Sequence, residues 1–514
     1  MAVKTLVKPS EYHDSVTLML VARELTKLPG VIDAAVIMAT EANKALLKES
    51  GLLTPEAQAA TPNDLVIAVS ANHGAADAAL LEAEKWLQQK RESDRGTEFR
   101  PKTLRGAIKM SPKANVAVIS VAGRYATDEA WDALQRGLHV LLFSDNVSLE
   151  DEIALKQYAR DHGLLLMGPG AGTAILNGVA LGFANVVPSG PVGIVSAAGT
   201  GLQEVSTLLA KYGVGITQGL GTGGRDLKEE VGGLMMLEGL KALQADPATH
   251  VIALVGKPPS PAVAEAILDQ VAANNKPAVM GFMGANADQV RSIPNAIGAR
   301  TLQETALLAA KAAGAHIDVA DVIAREELEL HDRAKKLRAS LRPEQKYLRG
   351  LFSGGTLCYE SQVIWRDVLK EPVWSNAPLR HENQLADSLR SVKHSCVDLG
   401  EEEFTVGRPH PMIDNDLRIR RMLREARDPE VAVMMLDVVI GYSAHPDPAS
   451  ELGPATRQAK QLADRELIIV ASVTGTEQDP QRLSAQVAAL KNAGVVVCDS
   501  NAAAAKLVAM IVKE

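Results

Sequence analysis

The sequence has 514 residues, which is too long for one hydrophobic core and predicts roughly three to five domains. Hydrophobic residues make up 46% of the chain and charged residues 23%, a balance that excludes an intrinsically disordered protein. The formal net charge is −8 and no basic run occurs. Both features argue against a nucleic-acid surface, because phosphate contacts need clustered lysine and arginine.

Cysteine usage and hydropathy exclude further classes. The three cysteines, Cys358, Cys396 and Cys498, form no CxxC pair and no metal-ligand spacing, which argues against zinc and against a disulfide framework. The first residues lack the apolar core of a signal peptide, and no run of about 18 apolar residues predicts a membrane span. We therefore expect a cytoplasmic protein without a metal, a membrane or a nucleic-acid partner.

The beginning of the chain alternates short strands with helices. Residues 1–95 predict a small α+β domain of ferredoxin-like type. No strand–GxGxxG–helix opening occurs there, so this end gives no support to dinucleotide binding. Residues 88–113 are polar and contain Gly and Pro, which indicates a linker.

Residues 114–190 begin a regular alternation of apolar strands with helices, typical of a doubly wound parallel sheet. We expect a Rossmann-like domain here. Ligands of such sheets bind beyond the carboxyl ends of the strands. Those ends carry Ala122–Arg124, Ser144–Asn146 and Gly168–Gly170.

The next predicted domain, residues 191–313, opens with the layout of a strand, a tight turn and a helix start. The apolar run Val192–Val195 leads into the small residues Ser196–Gly201, and a helical pattern follows. The first N–H groups of a helix lack intrahelical partners, and the helix dipole adds positive charge. Small residues at such a helix start let phosphate or carboxylate approach. A turn whose glycines only allow close packing is the alternative.

A second copy of this pattern lies in the last predicted domain, residues 346–514. Each copy has a serine at the strand end, then Gly-Thr, then a glutamate one helical turn later, and such repeats indicate a duplicated domain. We expect the two domains to pack face to face and to aim both helix starts at one anion. The matching residues are Ser196 and Ser353, Gly199–Thr200 and Gly355–Thr356, and Glu204 and Glu360.

Two further segments need an interpretation. Residues 317–345 are densely charged with a helical period and predict a helical linker. The spacing of Gly219, Gly221 and Gly224 matches a dinucleotide fingerprint only superficially, because one short strand precedes it and a charged segment follows. We interpret this loop as a substrate or phosphate loop.

The succession of segments resembles succinyl-CoA synthetase, an NDP-forming acyl-CoA synthetase. Residues 115–169 are similar to the second half of the CoA-binding domain of its α subunit, residues 191–313 to the ligase domain of that subunit, and residues 347–514 to the ligase domain of the β subunit. The whole chain resembles the FdrA family, in which both ligase domains are fused. The expected fold class is therefore α/β, with a small N-terminal α+β domain, a Rossmann-like CoA-binding-type domain and two flavodoxin-like ligase-type domains. The markers of the FdrA family are Phe143–Val147, Gly221–Leu227 and Gly407–Asp414.

Three departures from the synthetases bear on the chemistry. The synthetases phosphorylate a histidine in a Met-Gly-His-Ala-Gly loop, and the matching stretch Val279–Ala285 has none, so a phosphohistidine at this position is excluded. The glutamate that orients that histidine falls near Lys257, a cation that favours a directly held phosphate or carboxylate. The chain has no Walker motif and no resemblance to an ATP-grasp domain, so it is not expected to bind ATP by itself.

The resemblance implies a function. FdrA-type proteins are subunits of a multi-subunit, phosphate-dependent carbamoyltransferase of allantoin breakdown, which converts oxalurate and phosphate into oxamate and carbamoyl phosphate. Gly170-Ala171 replaces the Asp-Cys that is common in the family. Two alternatives stay open. One is a CoA-binding subunit of an acyl-CoA synthetase that an ATP-grasp chain completes, and the other is a non-catalytic scaffold or metabolite-binding subunit.

Phosphorolysis of a ureide needs donors and cations around a tetrahedral centre. His410, between two prolines, is a candidate general acid–base, with a rigid loop anchor as the alternative. Lys257 and Arg408 are the other catalytic candidates, since arginine can grip phosphate bidentately. The candidates for binding phosphate or substrate are Ser196, Gly199, Thr200, Gly201, Arg225, Ser353, Gly354, Gly355 and Thr356.

The sequence also suggests minor candidate residues and the ligands of the site. Glu204 and Glu360 favour the first helical turns through the dipole, and Cys358 lies where a thiolate would be stabilised. We expect phosphate as a co-substrate, a small ureide or carboxylate substrate, and partner protein subunits. No cofactor is expected to be required, although CoA is compatible with the resemblance.

Overall fold

The structure is a computed structural model that divides into two compact units. The first comprises Met1–Thr103 and Glu401–His410, and the second Leu104–Gly400 and Pro411–Glu514. No helix among the described residues is long and apolar enough to span a membrane. The structure describes residues 2–513 apart from 12, 14, 41–42, 45–46, 49, 73, 94–100, 122, 370 and 406–408.

The first unit contains a small α+β domain. Its elements are β1 (Ala2–Lys8), α1 (Ser15–Thr26), β2 (Val31–Met38), α2 (Pro55–Ala59), β3 (Leu65–Ala71) and α3 (Ala75–Ser93), with a short helix Glu402–Thr405. The sheet order is β1-β3-β2, and the central strand is antiparallel to both neighbours. Leu25, Ile67 and Ala83 lie fully buried between the sheet and the helices. Glu401–His410 belongs to this unit and not, as the sequence suggested, to the last domain.

The second unit begins with a three-stranded parallel sheet whose strands lie in the order β4 (Val116–Ile119), β5 (His139–Leu142), β6 (Leu166–Met167). Ala126, Ala130 and Ala133 recur at helical spacing and are fully buried, which explains how the helix that carries them packs closely on the sheet. The elements are α4 (Leu104–Met110), β4 (Val116–Ile119), α5 (Gly123–Gln135), β5 (His139–Leu142), α6 (Leu149–Asp161) and β6 (Leu166–Met167).

A seven-stranded sheet follows in the chain. Its elements are β7 (Thr173–Leu176), β8 (Val179–Gly182), β9 (Ser189–Ser196), α7 (Gly199–Lys211), β10 (Ile216–Gly221), α8 (Leu234–Ala245), β11 (Val251–Gly256), α9 (Pro261–Ala272), β12 (Ala278–Phe282), β13 (Ala296–Gly298) and α10 (Leu302–Ala312). The order is β13-β12-β11-β9-β10-β7-β8, and the strands from β9 to β13 are parallel. This is the flavodoxin-like order 2-1-3-4-5, extended by an antiparallel hairpin. The hairpin β7–β8 joins this sheet, although its residues fall in the segment 114–190 assigned to the preceding domain.

The last sheet repeats the arrangement. Its elements follow a linker helix α11 (Val319–Arg338) and are β14 (Tyr347–Phe352), α12 (Gly355–Val368), β15 (Val373–Ser375), β16 (His394–Asp398), α13 (Asp416–Glu425), β17 (Val431–Val439), α14 (Pro448–Ala463), β18 (Ile468–Thr474), α15 (Leu483–Asn492), β19 (Val496–Cys498) and α16 (Asn501–Val512). The order β15-β16-β14-β17-β18-β19 contains the same 2-1-3-4-5 pattern and adds β15 at one edge. The expected pair of flavodoxin-like domains is confirmed.

The two flavodoxin-like domains share one continuous hydrophobic core. Leu202 and Val205 from α7 belong to the same buried cluster as Leu357 and Trp365 from α12, and all four are nearly inaccessible to solvent. A continuous core keeps the two helices in a fixed relation, because close-packed interiors tolerate little displacement. The starts of both helices are thereby held in place.

Candidate functional site: two facing helix starts

Both Gly-Thr turns lie where the strand order of their sheet reverses. We call Ser196–Gly201 the first turn and Ser353–Thr356 the second turn. The first follows β9, which lies between β10 and β11, and the second follows β14, which lies between β16 and β17. In doubly wound sheets the crevice at this reversal, beyond the carboxyl ends of the strands, is where ligands bind.

The two turns face each other at contact distance. A Cβ atom built on Gly354 would lie 2.8 Å from Cγ2 of Thr200, and one built on Gly201 would lie 3.0 Å from Cγ2 of Thr356. Each threonine therefore rests on a glycine of the opposite turn, an approach that a side chain would obstruct. The two turns converge as expected from the sequence, whereas their binding of one shared anion stays a prediction.

The first turn keeps the backbone donors of its helix available. The Ser196 hydroxyl donates to the Ala198 carbonyl (2.7 Å) and accepts from the Ala198 N–H (3.1 Å), so it closes the turn. In the described part of the chain, no side chain caps α7, and the N–H groups of Gly199, Thr200 and Gly201 have no hydrogen-bond partner. Three orphan donors at the positive end of a helix dipole are the donor set that anions bind.

Polar but uncharged groups adjoin the first turn. Thr173 Oγ1 lies 3.3 Å from a Cβ built on Gly199, and the Thr222 N–H donates to the Ser196 carbonyl (2.8 Å). The hydroxyl of Thr222 is buried and has no partner within the described residues. The loop of Gly219–Gly224 is therefore next to the first turn, and its role as a substrate or phosphate loop stays a prediction.

The second turn already holds a negative charge. The carboxylate of Asp437, on β17, accepts the N–H of Ser353 and the N–H of Gly354, both at 2.7 Å, and the Ser353 hydroxyl at 3.1 Å. Arg418 donates to the same carboxylate at 3.0 Å, and both side chains are buried. Burial raises the pKa of Asp437, while Arg418 and the backbone donors act in the opposite direction. The two turns therefore differ in charge although their sequences match.

A second carboxylate also contacts the second turn. Asp398, at the end of β16, places Oδ2 2.6 Å from a Cβ built on Gly355. Its Oδ1 accepts the Gly400 N–H at 2.9 Å, and the Asp398 side chain is buried. Sequence reasoning missed both residues, and the available signal was an aspartate at the end of an apolar strand (Asp398) or within one (Asp437).

Lys257 lies beside the helix that follows the second turn. It follows β11, and its ammonium group is 5.1 Å from the ring centroid of Tyr359, one helical turn beyond Gly355 on α12. A Cβ built on the preceding residue, Gly256, would lie 3.5 Å from Cβ of Ala197 in the first turn. Lys257 is thus an exposed cation beside α12, and the residue before it adjoins the first turn.

The loop that would carry the synthetase histidine is also at this interface. Phe282 occupies the end of β12 and is buried. Gly284, two residues later, has a φ of +87°, and a Cβ built on it would lie 3.3 Å from Val363 and 3.7 Å from the Tyr359 hydroxyl on α12. The loop therefore packs on the second domain with a phenylalanine in place of a phosphorylatable residue.

Arg225 is engaged away from the turns. Its Nε lies 2.7 Å from Glu152 Oε2, and it donates to the Val147 carbonyl at 2.8 Å, so it binds the start of α6. Lys156 on the same helix is fully buried and lies 2.8 Å from both Glu152 and Asp226. This pairing favours a structural role for Arg225, and phosphate binding by Arg225 stays a prediction.

His410 and Arg408 are the two remaining catalytic candidates. His410 is half-buried and belongs to the first unit, whereas both turns belong to the second. Arg408 lies outside the described residues. The catalytic roles of both residues stay predictions.

The repeated glutamates have a role that sequence reasoning did not anticipate. Glu204 on α7 accepts the Asn501 N–H (2.9 Å) at the start of α16, and Glu360 on α12 accepts the Leu302 N–H (2.6 Å) at the start of α10. Each glutamate therefore caps the last helix of the opposite domain. Burial raises the pKa of Glu360 to about 7, and it also raises the pKa of Glu204.

Two of the cysteines lie close together in the last domain. Cys358 Sγ lies 3.3 Å from Cys396 Sγ, and burial raises the pKa of both thiols, which opposes use of Cys358 as a thiolate nucleophile. Among the described residues, no group of three or more His, Cys, Asp or Glu side chains is arranged to hold a metal ion.

Comparison with protein families identifies the class. Residues 189–284 match the family described as CoA binding domain, and residues 351–511 match the one described as CoA-ligase. Residues 1–102 match the family described as AllF, heavy metal-associated domain. The first match contains the first turn, whereas the sequence analysis placed the CoA-binding-type fold in residues 114–190. The chain thus has an α/β fold of CoA-binding and CoA-ligase type with a small N-terminal domain.

Individual relatives show to which family the chain belongs. The chain is 46% identical over 509 residues to the uncharacterized protein YahF of Escherichia coli strain K12, covering 98% of this chain and 97% of that protein, and it belongs to the same family as YahF. It is 29% identical to subunit SauD of the ADP-forming sulfoacetate-CoA ligase of Bilophila wadsworthia, over 30% of this chain and 54% of that subunit. The apo dinucleotide-forming acetyl-coenzyme A synthetase 1 of Ca. Korarchaeum cryptofilum aligns with 80% of this chain, with 87% of that chain covered, 16% identity and a TM-score of 0.30.

Proposed function

We propose that the chain is a group-transfer subunit of the acyl-CoA synthetase type that holds phosphate, or the phosphate of an acyl phosphate, at the first turn. The observation that carries this proposal is the set of N–H groups of Gly199, Thr200 and Gly201, which have no partner among the described residues and face the second turn across a glycine contact. The family matches to CoA binding and CoA-ligase support CoA as the acyl carrier.

The reaction proposed for this site is attack of a phosphate oxygen on an acyl carbonyl carbon. A C–O bond to phosphate forms, the C–S bond to CoA breaks, and the departing thiolate takes up a proton from solvent. The helix-start donors hold the nucleophile, and Lys257 supplies positive charge nearby. In the opposite direction, CoA thiolate attacks an acyl phosphate, and phosphate leaves toward the same donors.

A second candidate differs in the group that is transferred. In carbamoyl transfer from oxalurate, phosphate attacks the carbamoyl carbon, the C–N bond to oxamate breaks, and the departing nitrogen takes up a proton. Phe282 is compatible with both candidates, because direct attack by phosphate needs no phosphorylatable histidine at that position. We infer that partner subunits supply the remaining parts of either reaction and that no further cofactor is required.

Thr200→Val tests the phosphate site, because it removes a hydroxyl while keeping the shape of the side chain. We expect inorganic phosphate to bind about tenfold to a hundredfold more weakly in calorimetry, the effect of losing a hydrogen bond to a charged group. Thr356→Val is the matched variant on the second turn and should weaken binding less. Equal phosphate affinity of Thr200→Val and the unchanged protein contradicts the proposed site.

The group transferred is tested by ³¹P NMR on the full chain together with any subunits that copurify with it. Phosphate is supplied with either acetyl-CoA or oxalurate. An acyl phosphate signal supports the CoA-linked reaction, and carbamoyl phosphate supports the second candidate. Absence of any new phosphorus signal with both donors contradicts group transfer to phosphate.

A further inference from the structure

The second turn has the donor arrangement of an oxyanion site with a side chain in the place of the anion. Asp437 accepts two backbone N–H groups and one hydroxyl from Ser353 and Gly354, and Arg418 supplies a charged donor. Backbone N–H groups at a helix start, a serine hydroxyl and an arginine are the donors that proteins use for phosphate and carboxylate ligands.

The surroundings of Asp437 are those of an enclosed binding site. Asp437 is fully buried and Arg418 is 2% exposed. Arg418 also donates to the Asn415 side chain at 2.6 Å, which orients the guanidinium, and its Nε has no partner in the part of the chain that the structure describes. An arginine buried in this way retains a donor and a positive charge whenever the carboxylate is absent.

The first turn offers helix-start donors of the same kind, and within the described residues no carboxylate accepts from them. There the N–H group of the residue before α7, Ala198, binds the neutral hydroxyl of Ser196. At the second turn the corresponding N–H, of Gly354, binds the Asp437 carboxylate. Equivalent positions of the duplicated fold therefore carry a neutral acceptor in one copy and an anion in the other.

We propose that Asp437 is the built-in occupant of a second oxyanion site, and that removing its side chain opens this site to a small carboxylate such as formate. The intact chain then has one turn of the pair free for an anion, and it is the first. This inference uses the proposed function only to name the first turn as the working site.

The test is rescue by formate. Asp437→Ala removes a carboxylate of about the size of formate and leaves Arg418 and the two N–H groups facing the vacated space. We expect formate at a hundred times its dissociation constant to lower the unfolding equilibrium constant of Asp437→Ala about a hundredfold. The measurement is urea unfolding at constant ionic strength, with formate replacing chloride.

Three variants serve as controls. Val433→Ala lies on the same strand, creates a buried cavity and keeps Asp437, so formate should not stabilise it. Asp437→Asn keeps the space filled and should not respond either. The double variant Asp437→Ala/Arg418→Met removes the cation and should lose the response. Stabilisation of Asp437→Ala by no more than that of Val433→Ala overturns the proposal.

The proposal can also be tested if Asp437→Ala does not fold. If Asp437→Ala is insoluble without added anion, refolding with and without formate replaces the unfolding measurement. Insolubility at every formate concentration, beside a soluble double variant, contradicts the proposal. The outcome is independent of the proposed function, because phosphate binding at the first turn is measured by Thr200→Val.

Discussion

The two Gly-Thr turns have nearly the same local sequence and the same place in their sheets, yet they differ in charge. The first turn closes on its own serine and lies beside the uncharged Thr173, and its helix N–H groups have no partner in the part of the chain that the structure describes. The second is contacted by two buried carboxylates, Asp398 and Asp437. A duplicated turn therefore predicts a shared backbone shape and not a shared ligand, because neighbouring strands decide the electrostatics.

Charged groups outside the turns extend this contrast. On the first side, the buried ammonium of Lys156 donates to the Thr222 carbonyl at 3.0 Å, next to Ser196. On the second side, Arg418 donates to the Asp437 carbonyl at 2.6 Å and also binds its carboxylate. Each turn is thus supported by a buried cation. Lys156 contacts the loop beside the first turn, and Arg418 contacts the Asp437 carboxylate that binds the second turn.

The largest effect is expected from Lys156→Met. The change leaves Glu152 and Asp226 as buried carboxylates with one cation fewer, and breaking such a cluster costs about 3–5 kcal/mol. Urea unfolding measures the loss. Since Lys156 also holds the loop beside the first turn, phosphate affinity should fall as well.

Lys241→Met is the control for this prediction, because Lys241 is an exposed lysine on α8. Its free energy of unfolding should change by no more than about 0.5 kcal/mol. If Lys156→Met destabilises the chain by no more than this control does, the buried cluster does not support the first turn.

A smaller effect, visible in the pH dependence, is expected from Glu360→Gln. Burial raises the pKa of Glu360 from 4.5 to about 7, so between these values the folded chain keeps a proton that the unfolded chain releases. The free energy of unfolding therefore decreases as pH rises through this window, by at most about 1.4 kcal/mol per pH unit from this group. Glu360→Gln should remove that part of the slope.

The matched variant is Glu329→Gln, the same substitution at an exposed residue of α11. Urea unfolding at several pH values compares the two. Parallel curves for Glu360→Gln and the unchanged protein would show that the cap between the domains does not titrate.

The smallest effect is expected from Lys257→Gln. Lys257 is exposed, so its attraction for an anion at the first turn is screened and amounts to about 0.2–1 kcal/mol. Phosphate affinity should fall by no more than about fivefold, and the difference should shrink as salt increases. Calorimetry at two salt concentrations measures it, with Lys241→Gln as the control. A loss that does not depend on salt would contradict an electrostatic role.

Much of the architecture was predictable from the sequence. The alternation of apolar strands and helices identifies doubly wound sheets, because burial on both faces leaves a continuous apolar strand. The repeat of Ser, Gly-Thr and Glu identifies the duplication and the two helix starts that the structure brings together. Hairpin β7–β8 was assigned to the wrong side of a boundary, since pairing with β10 depends on register in space and not on chain order.

The charge of the site was decided by the tertiary structure. Asp437 is 84 residues from Ser353, and the apolar run of β17 marks it as an aspartate on a buried strand without indicating its partner. Arg225 lies in a glycine-rich context that suggested an anion ligand, and its guanidinium contacts the start of α6, a pairing that the sequence did not predict. Local sequence determines which backbone donors a turn offers, whereas the partner of each donor depends on long-range packing that places strands side by side.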